Sequence, residues 1–232
     1  QDILNFTKKN KKSEVIAKIQ RAVDYAKELG ATTVGLGQFT SIITKSGLCL
    51  DSRGMNLTTG NALTVKLGVE AALRESQNKG FTSENLNVCA VGCAGNITSV
   101  VSTIMAEHCR KLTLIHHKSI YESPKLQEVV IQMLKEIENG PANSPCVRGI
   151  QRLLKDECYR IDRDLYEILN DTRFCEFIEI DEDIERLKEA NLVICGTNSS
   201  KTIIGPEHIS PETVVVDISV PRNVDPKVEE IP

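Results

Sequence analysis

The sequence has no excess of basic charge, no long apolar run and no paired pattern of cysteines. Lysine and arginine number 28 against 32 aspartate and glutamate, a net charge of -4. That balance leaves no basic field of the kind a phosphate-backbone binder carries, which excludes nucleic acid as the expected partner. No apolar stretch approaches the roughly 18 residues needed to span a bilayer. An apolar h-region near the start is also missing, so nothing reads as a signal peptide. Internal repeats and low-complexity segments are absent. The chain opens on Gln1 rather than Met, and it is expected to be a piece of a longer protein.

Eight cysteines in 232 residues are many, but their positions argue against a disulfide framework. Cys89 and Cys195 fall in short apolar runs that read as buried strands, and Cys109 sits near the end of an expected helix. Buried reduced thiols are common in cytosolic enzymes, and a cytoplasmic location is expected. Asn-x-Ser/Thr matches at Asn5, Asn56, Asn96 and Asn198 would matter only in a secreted chain. A metal site would have to combine Cys89 and Cys93 with His116 and His117. A strand residue and a turn residue at that spacing point different ways, so no metal is expected.

What the chain does have is 41% apolar residues, enough for a real core, and an alternation of helical and strand patterns. Apolar positions at Val15, Ile16, Ile19, Val23 and Ala26 predict a helix from Ser13 to Leu29, stopped by Gly30. An extended run is expected through residues 31–44, with Gly35 and Gly37 inside it, then a polar turn and a helix from about Ala62 to Lys79. Strands are predicted at Leu86 to Val91, Lys111 to Ile115, Phe174 to Ile180, Asn191 to Cys195 and Thr213 to Ile218. Helices are predicted at Asn96 to Cys109, with an inner face of Ile97, Val100, Val101, Ile104 and Met105, and at about Asp183 to Ala190. Two further amphipathic patterns fill the interval at about 120–172. One starts at Ser123-Pro124 and stops at Gly140; the other runs from Val147 to Ile168. The expected fold is α/β: a Rossmann-like doubly wound parallel sheet over residues 81–232, carrying a helical insertion and truncated at its C-terminus. A smaller α/β segment on the substrate side, residues 1–80, precedes it.

The sharpest local signal is Val91-Gly92-Cys93-Ala94-Gly95-Asn96-Ile97-Thr98, after the first strand of the parallel sheet and at the mouth of a helix. Gly92 permits a tight turn, and Ala94 and Gly95 leave room for a diphosphate against backbone N–H groups. Asn96 and Ile97 open the helix, whose N-terminus carries about half a positive charge. Thr98 stands where a third small residue is expected and should push the helix slightly outward. A nicotinamide dinucleotide site normally continues with an acid after the second strand when the cofactor is NAD. Here the chain reads His116-His117-Lys118-Ser119, with no acid before Glu122. His117 and Lys118 suit a ribose 2'-phosphate instead, so NADP(H) is the expected cofactor. Thr197 and Asn198, following the strand that ends at Cys195, complete the expected cofactor set.

Three blocks carry a resemblance: Gly35-Leu36-Gly37-Gln38-Phe39-Thr40-Ser41-Ile42-Ile43, Leu57-Thr58-Thr59-Gly60-Asn61, and the glycine turn with its helix. Over roughly residues 20–118 their order and spacing resemble the long-chain acyl-acyl carrier protein reductases of cyanobacteria and the wider group of predicted amino acid dehydrogenases. Residues 191–198 and 216–222 are similar, more loosely, to the glutamyl-tRNA reductase and shikimate dehydrogenase branch of NADP-binding domains. The first resemblance implies NADPH-dependent reduction of an acyl thioester, on acyl carrier protein or CoA, to an aldehyde through a cysteine nucleophile. None of the eight cysteines stands at the family's position, so the nucleophile is expected to lie beyond residue 232. Thr58, Thr59 and Asn61 are the candidate catalytic donors to a substrate carbonyl; Thr59 or Asn61 can equally cap the following helix.

Two other functions compete with thioester reduction. One is a dehydrogenase of the shikimate dehydrogenase-like type, acting on an amino acid or a small hydroxy or keto acid with a proton donor in place of a covalent cysteine. The other is a non-catalytic NADP-binding or docking module joined to adjoining domains, with the helical insertion as its partner surface.

Overall fold

The computed structural model describes residues 12–37 and 39–231. Asn5 and Gln38, named above, lie outside the described residues. The chain divides into two compact units, Gln1–Thr64 and Val65–Pro232. The division falls inside a helix, Asn61–Asn78, rather than at residue 80.

In the first unit, helix α1 (Lys12–Glu28) ends where Gly30 takes a φ of +84°. Strand β1 (Thr33–Gly35) pairs in parallel with β2 (Asn56–Thr58). The extended run expected through residue 44 stops early, because Phe39–Ile43 forms a short helix, α2. The Thr40 amide and hydroxyl both donate to the Gly37 carbonyl, at 3.2 and 2.5 Å, and start that helix. Gln20 clamps the chain by donating to the Asp51 carbonyl at 2.9 Å and accepting from its amide at 2.8 Å.

The second unit opens with α3 (Asn61–Asn78), continuing from the first, and then alternates strands and helices. The elements are β3 (Asn87–Val91), α4 (Thr98–Ala106), β4 (Lys111–Ile115), α5 (Pro124–Asn139), α6 (Pro145–Asp156), α7 (Leu165–Asn170), β5 (Ile178–Asp181), β6 (Leu192–Cys195) and β7 (Val214–Asp217). The sheet order is β5-β4-β3-β6-β7 and every pairing is parallel. This is the expected Rossmann-like α/β fold. Buried apolar strands such as β6, closed to solvent at all four positions, read as continuous hydrophobic runs because both faces are covered.

The two faces are covered differently. Val88, Ala90, Leu112, Leu114, Leu192 and Ile194 share one core with residues of α3 to α7. Cys89, Val91, Ile115, Val193 and Cys195 form a second core with Leu187, Ala190, Ile204 and Ile209. The cover there consists of single 3₁₀ turns at Ile184–Glu189, Pro206–His208 and Pro226–Glu230. The helix expected at 183–190 is therefore a 3₁₀ turn, opened by the Asp183 carboxylate accepting from the Glu185 amide at 2.9 Å.

The segment expected as an insertion is the crossover between β4 and β5. Leu126, Val130, Met133 and Ile137 of α5 and Val147, Ile150, Leu153 and Leu154 of α6 all lie in the main core. The single helix expected from Val147 to Ile168 is two, α6 and α7, with Cys158 at a φ of +53° between them. Phe174–Glu176, expected to begin a strand, is a 3₁₀ turn, and Phe177 lays its ring flat against Gly149, where any Cβ would collide with it. The inner face of α4 is Val101, Met105, Ala106, Thr98 and Ser102; Val100, expected there, is exposed.

Ser144 makes the clearest local bond in this region. Fully buried, its hydroxyl donates to the Ala106 carbonyl at 2.5 Å and accepts from the Val147 amide at 3.1 Å. It therefore caps α6 and ties that helix to the end of α4. Ser144→Ala removes both bonds and leaves the buried Ala106 carbonyl only a long contact, 4.0 Å, from the Cys109 thiol. The expected cost is about 1–2 kcal/mol, read as a lower urea midpoint with an unchanged slope.

Candidate functional site

The chain runs outward from β3 through β4 to β5, then returns to the other side of β3 with β6 and β7. Open parallel sheets take ligands beyond the C-terminal strand ends where the order reverses in this way. Two loops meet at that point, 92–97 after β3 and 196–201 after β6.

The loops interlock through missing side chains. Gly92 has a φ of +81°, and a Cβ on it would stand 2.8 Å from Thr197 Cγ2 and 3.0 Å from the Gly196 oxygen. A Cβ on Gly95 would lie 3.1 Å from the Gly92 oxygen and 3.3 Å from the Gly196 oxygen. On Gly196 it would collide with Thr98 Oγ1. Thr98 does not wedge the helix outward. It is fully buried, and its hydroxyl donates to the Gly196 carbonyl at 2.9 Å, so it ties α4 to the loop after β6.

The glycines thus serve loop-to-loop contact, and the amides without a partner lie one step on. The Gly92 and Gly95 amides are committed, to the carbonyls of Ile115 at 3.0 Å and Gly92 at 2.8 Å. The amides of Asn96, Ile97 and Thr98 have no acceptor among the described residues, and they stand at the start of α4. Unpaired amide hydrogens at the positive end of a helix fit a diphosphate. Asn96 is exposed and Ile97 half-buried; Ala94, expected beside the ligand, is buried in the main core.

At the end of β4, His116 is buried, and its Nδ1 accepts from the Lys118 amide at 3.2 Å. His117 and Lys118 are exposed, with the two imidazoles 4.4 Å apart. Desolvation, then the neighbouring His116 and Lys118, hold the His117 pKa below its ordinary value. The carboxylate of Asp181, opposite Ile115 in the register, is already occupied. It accepts from the amides of Glu182 and Asp183 at 2.7 and 2.9 Å and from Arg186 Nε at 2.9 Å.

On the other side of β3, Thr197 donates its amide to Ser219 Oγ at 3.2 Å and its hydroxyl to Asn223 Oδ1. The Asn198 side chain is exposed and has no partner among the described residues. Sequence reading missed Gly196, Asp217 and Asn223. Gly196, directly after a buried strand, carried a usable signal; the buried amide of Asn223 carried none.

Thr58, Thr59 and Asn61 belong to the first unit. Thr58 Oγ1 accepts from the Gly60 amide and Thr59 Oγ1 from the Asn61 amide, each at 3.3 Å. Thr59 therefore acts at the start of α3 as a cap-like acceptor, with the hydroxyl protons of both threonines uncommitted among the described residues.

Burial pushes the thiols of Cys89 and Cys93 up to about 12 and that of Cys195 to about 11. Among the described residues, no group of three or more His, Cys, Asp or Glu side chains could hold a metal ion, and no helix is long and apolar enough to cross a membrane.

Residues 163–232 match the model of the family described as shikimate / quinate 5-dehydrogenase. The match takes in β5, β6 and β7 with the loops at 196–201 and 217–225, and leaves out the glycine turn. Among solved structures, the chain is similar to one component of the dipicolinate synthase of Bacillus halodurans, with 12% identity and a TM-score of 0.43 over 85% of this chain. It spans about half, 54%, of that protein's length.

The interlock gives a direct test. Gly196→Ala forces a methyl onto the Thr98 hydroxyl and is expected to cost about 2–3 kcal/mol. In a Thr98→Ala background the same substitution should cost at least about 1 kcal/mol less. A thermodynamic cycle by denaturant unfolding measures the coupling.

Proposed function

We propose that the chain carries an NADP(H)-dependent oxidoreductase module of the dehydrogenase type, acting on a small hydroxy, keto or amino acid. The observation that carries this reading is the pair of unpaired amides at Asn96 and Ile97, outside the buried core at the reversal of strand order. The family match over residues 163–232 supports it from the other half of the sheet.

A bound NADP(H) would supply or accept the hydride. The chain's own part is to hold and orient it. The amides of Asn96 and Ile97 would take the diphosphate, and Lys118 with His117 the 2'-phosphate. The Thr197–Asn198 loop would line the opposite side of the crevice. Within the first unit, Thr58, Thr59 and Asn61 remain our candidate donors to a substrate carbonyl, on the resemblance of their block.

Thioester reduction, implied by the N-terminal blocks, requires an activated thiol. Cys195, at the end of a central strand, is fully buried with its thiol pushed up to about 11, so it does not supply one, and the family match over residues 163–232 favours the dehydrogenase reading. Thiol alkylation of the natural full-length protein is accordingly expected to leave NADP-dependent turnover unchanged; loss of turnover there would return the thioester reading to first place.

Cofactor choice is tested by titration. Lys118→Ala should weaken NADPH about tenfold or more and NADH less than about twofold, since only NADPH brings a charge for the ammonium to meet. The pH dependence has a definite sign. Desolvation and its neighbours disfavour the His117 imidazolium in the free protein, whereas a bound 2'-phosphate would favour it, so binding takes up protons. The affinity ratio of NADP to NAD should therefore rise as pH falls from about 8 to about 6.5, above the phosphate's own ionisation near 6. His117→Gln should flatten that rise.

A further inference from the structure

Asn223 is fully buried on the segment after β7, and all its polar groups are used on the neighbouring loop or on Asp217. Its Nδ2 donates to the Ser199 carbonyl at 2.9 Å and the Lys201 carbonyl at 3.0 Å. Its Oδ1 accepts from the Thr197 hydroxyl, which in turn accepts from the Ser199 amide at 3.0 Å. Its carbonyl accepts from the amides of Ile203 and Ile204, at 2.8 and 3.1 Å. The Asp217 carboxylate holds it from behind, Oδ2 accepting from the amides of Asn223 and Val224 at 2.8 and 3.0 Å and Oδ1 from that of Ser219 at 2.9 Å. One side chain thus substitutes for the backbone pairing that residues 197–201 lack.

The location gives this latch a meaning. The diphosphate cradle lies at β3 and the 2'-phosphate groups at the end of β4, to one side. A dinucleotide crossing the switch point must place its nicotinamide half on the other side, over β6 and β7, where the latched loop stands. We propose that Asn223 is a positioning residue for the nicotinamide half of the cofactor, acting through the Thr197–Lys201 loop and touching no ligand itself. This inference rests on the NADP(H) reading above.

A residue that only supported the fold would affect both halves of the cofactor equally. Asn223→Asp keeps the size and the acceptor to Thr197, but sets a carboxylate oxygen against two carbonyls where an N–H₂ stood. Binding of 2',5'-ADP, which lacks the nicotinamide half, should stay within about twofold, whereas NADPH affinity should fall about tenfold, or about 1.4 kcal/mol. The enhanced fluorescence of bound reduced nicotinamide should fall with it. Calorimetric titration of the 232-residue chain with both ligands reads the difference. Unchanged NADPH affinity, or equal losses for the two ligands in a folded variant, overturns the inference. Wild-type protein that binds neither ligand overturns the cofactor reading itself. Should Asn223→Asp not fold, Thr197→Val removes only the hydroxyl in the link; it must show the same selective loss, and equal effects on both ligands sink the inference.

Discussion

Two backbones meet beside the central strands of the five-stranded sheet with no side chain between them. The turn after β3 and the loop after β6 touch through Gly92, Gly95 and Gly196, and the Thr98 hydroxyl closes the contact with a bond to the Gly196 carbonyl. Because the turn stays that tight, α4 begins immediately behind it with three amides facing no acceptor. Because Gly196 stays that close, the 197–201 loop starts at the crevice. The redox reading draws on both facts. Each glycine serves the packing of the other loop first, and the row of unpaired amides is a consequence of that packing.

Much of the architecture was legible from period and punctuation. Ser123-Pro124 and Gly140 bracket α5 as expected, with Ser123 Oγ accepting from the Leu126 amide at 3.3 Å. The apolar runs at β3, β4, β6 and β7 were visible because strands covered on both faces contain little else. The errors share a cause: tertiary contacts overrode local pattern. Residues 39–43 look extended from their β-branched content, yet Thr40 bonds back to Gly37 and turns them into a helix. Val147 to Ile168 carries an unbroken apolar face, and one left-handed residue, Cys158, splits it.

The site was legible only in part. The glycine turn and the basic strand end announce themselves by residue type and spacing. The tether from Thr98 and the latch from Asn223 do not, because a threonine and an asparagine acquire those roles only when chain segments far apart in sequence are folded together. The same holds for the cysteines. Their count invites chemistry, whereas their burial raises Cys89, Cys93 and Cys195 far above neutrality. They fill space between strand and cover as small apolar side chains.

The unequal covering of the sheet has a mechanical outcome. Five helices shield one face, while three single 3₁₀ turns shield the other, over Cys89, Val193 and Cys195. Breathing motions that peel away a single turn break far fewer contacts than those that lift a helix. The sheet therefore yields first from its thinly clad side.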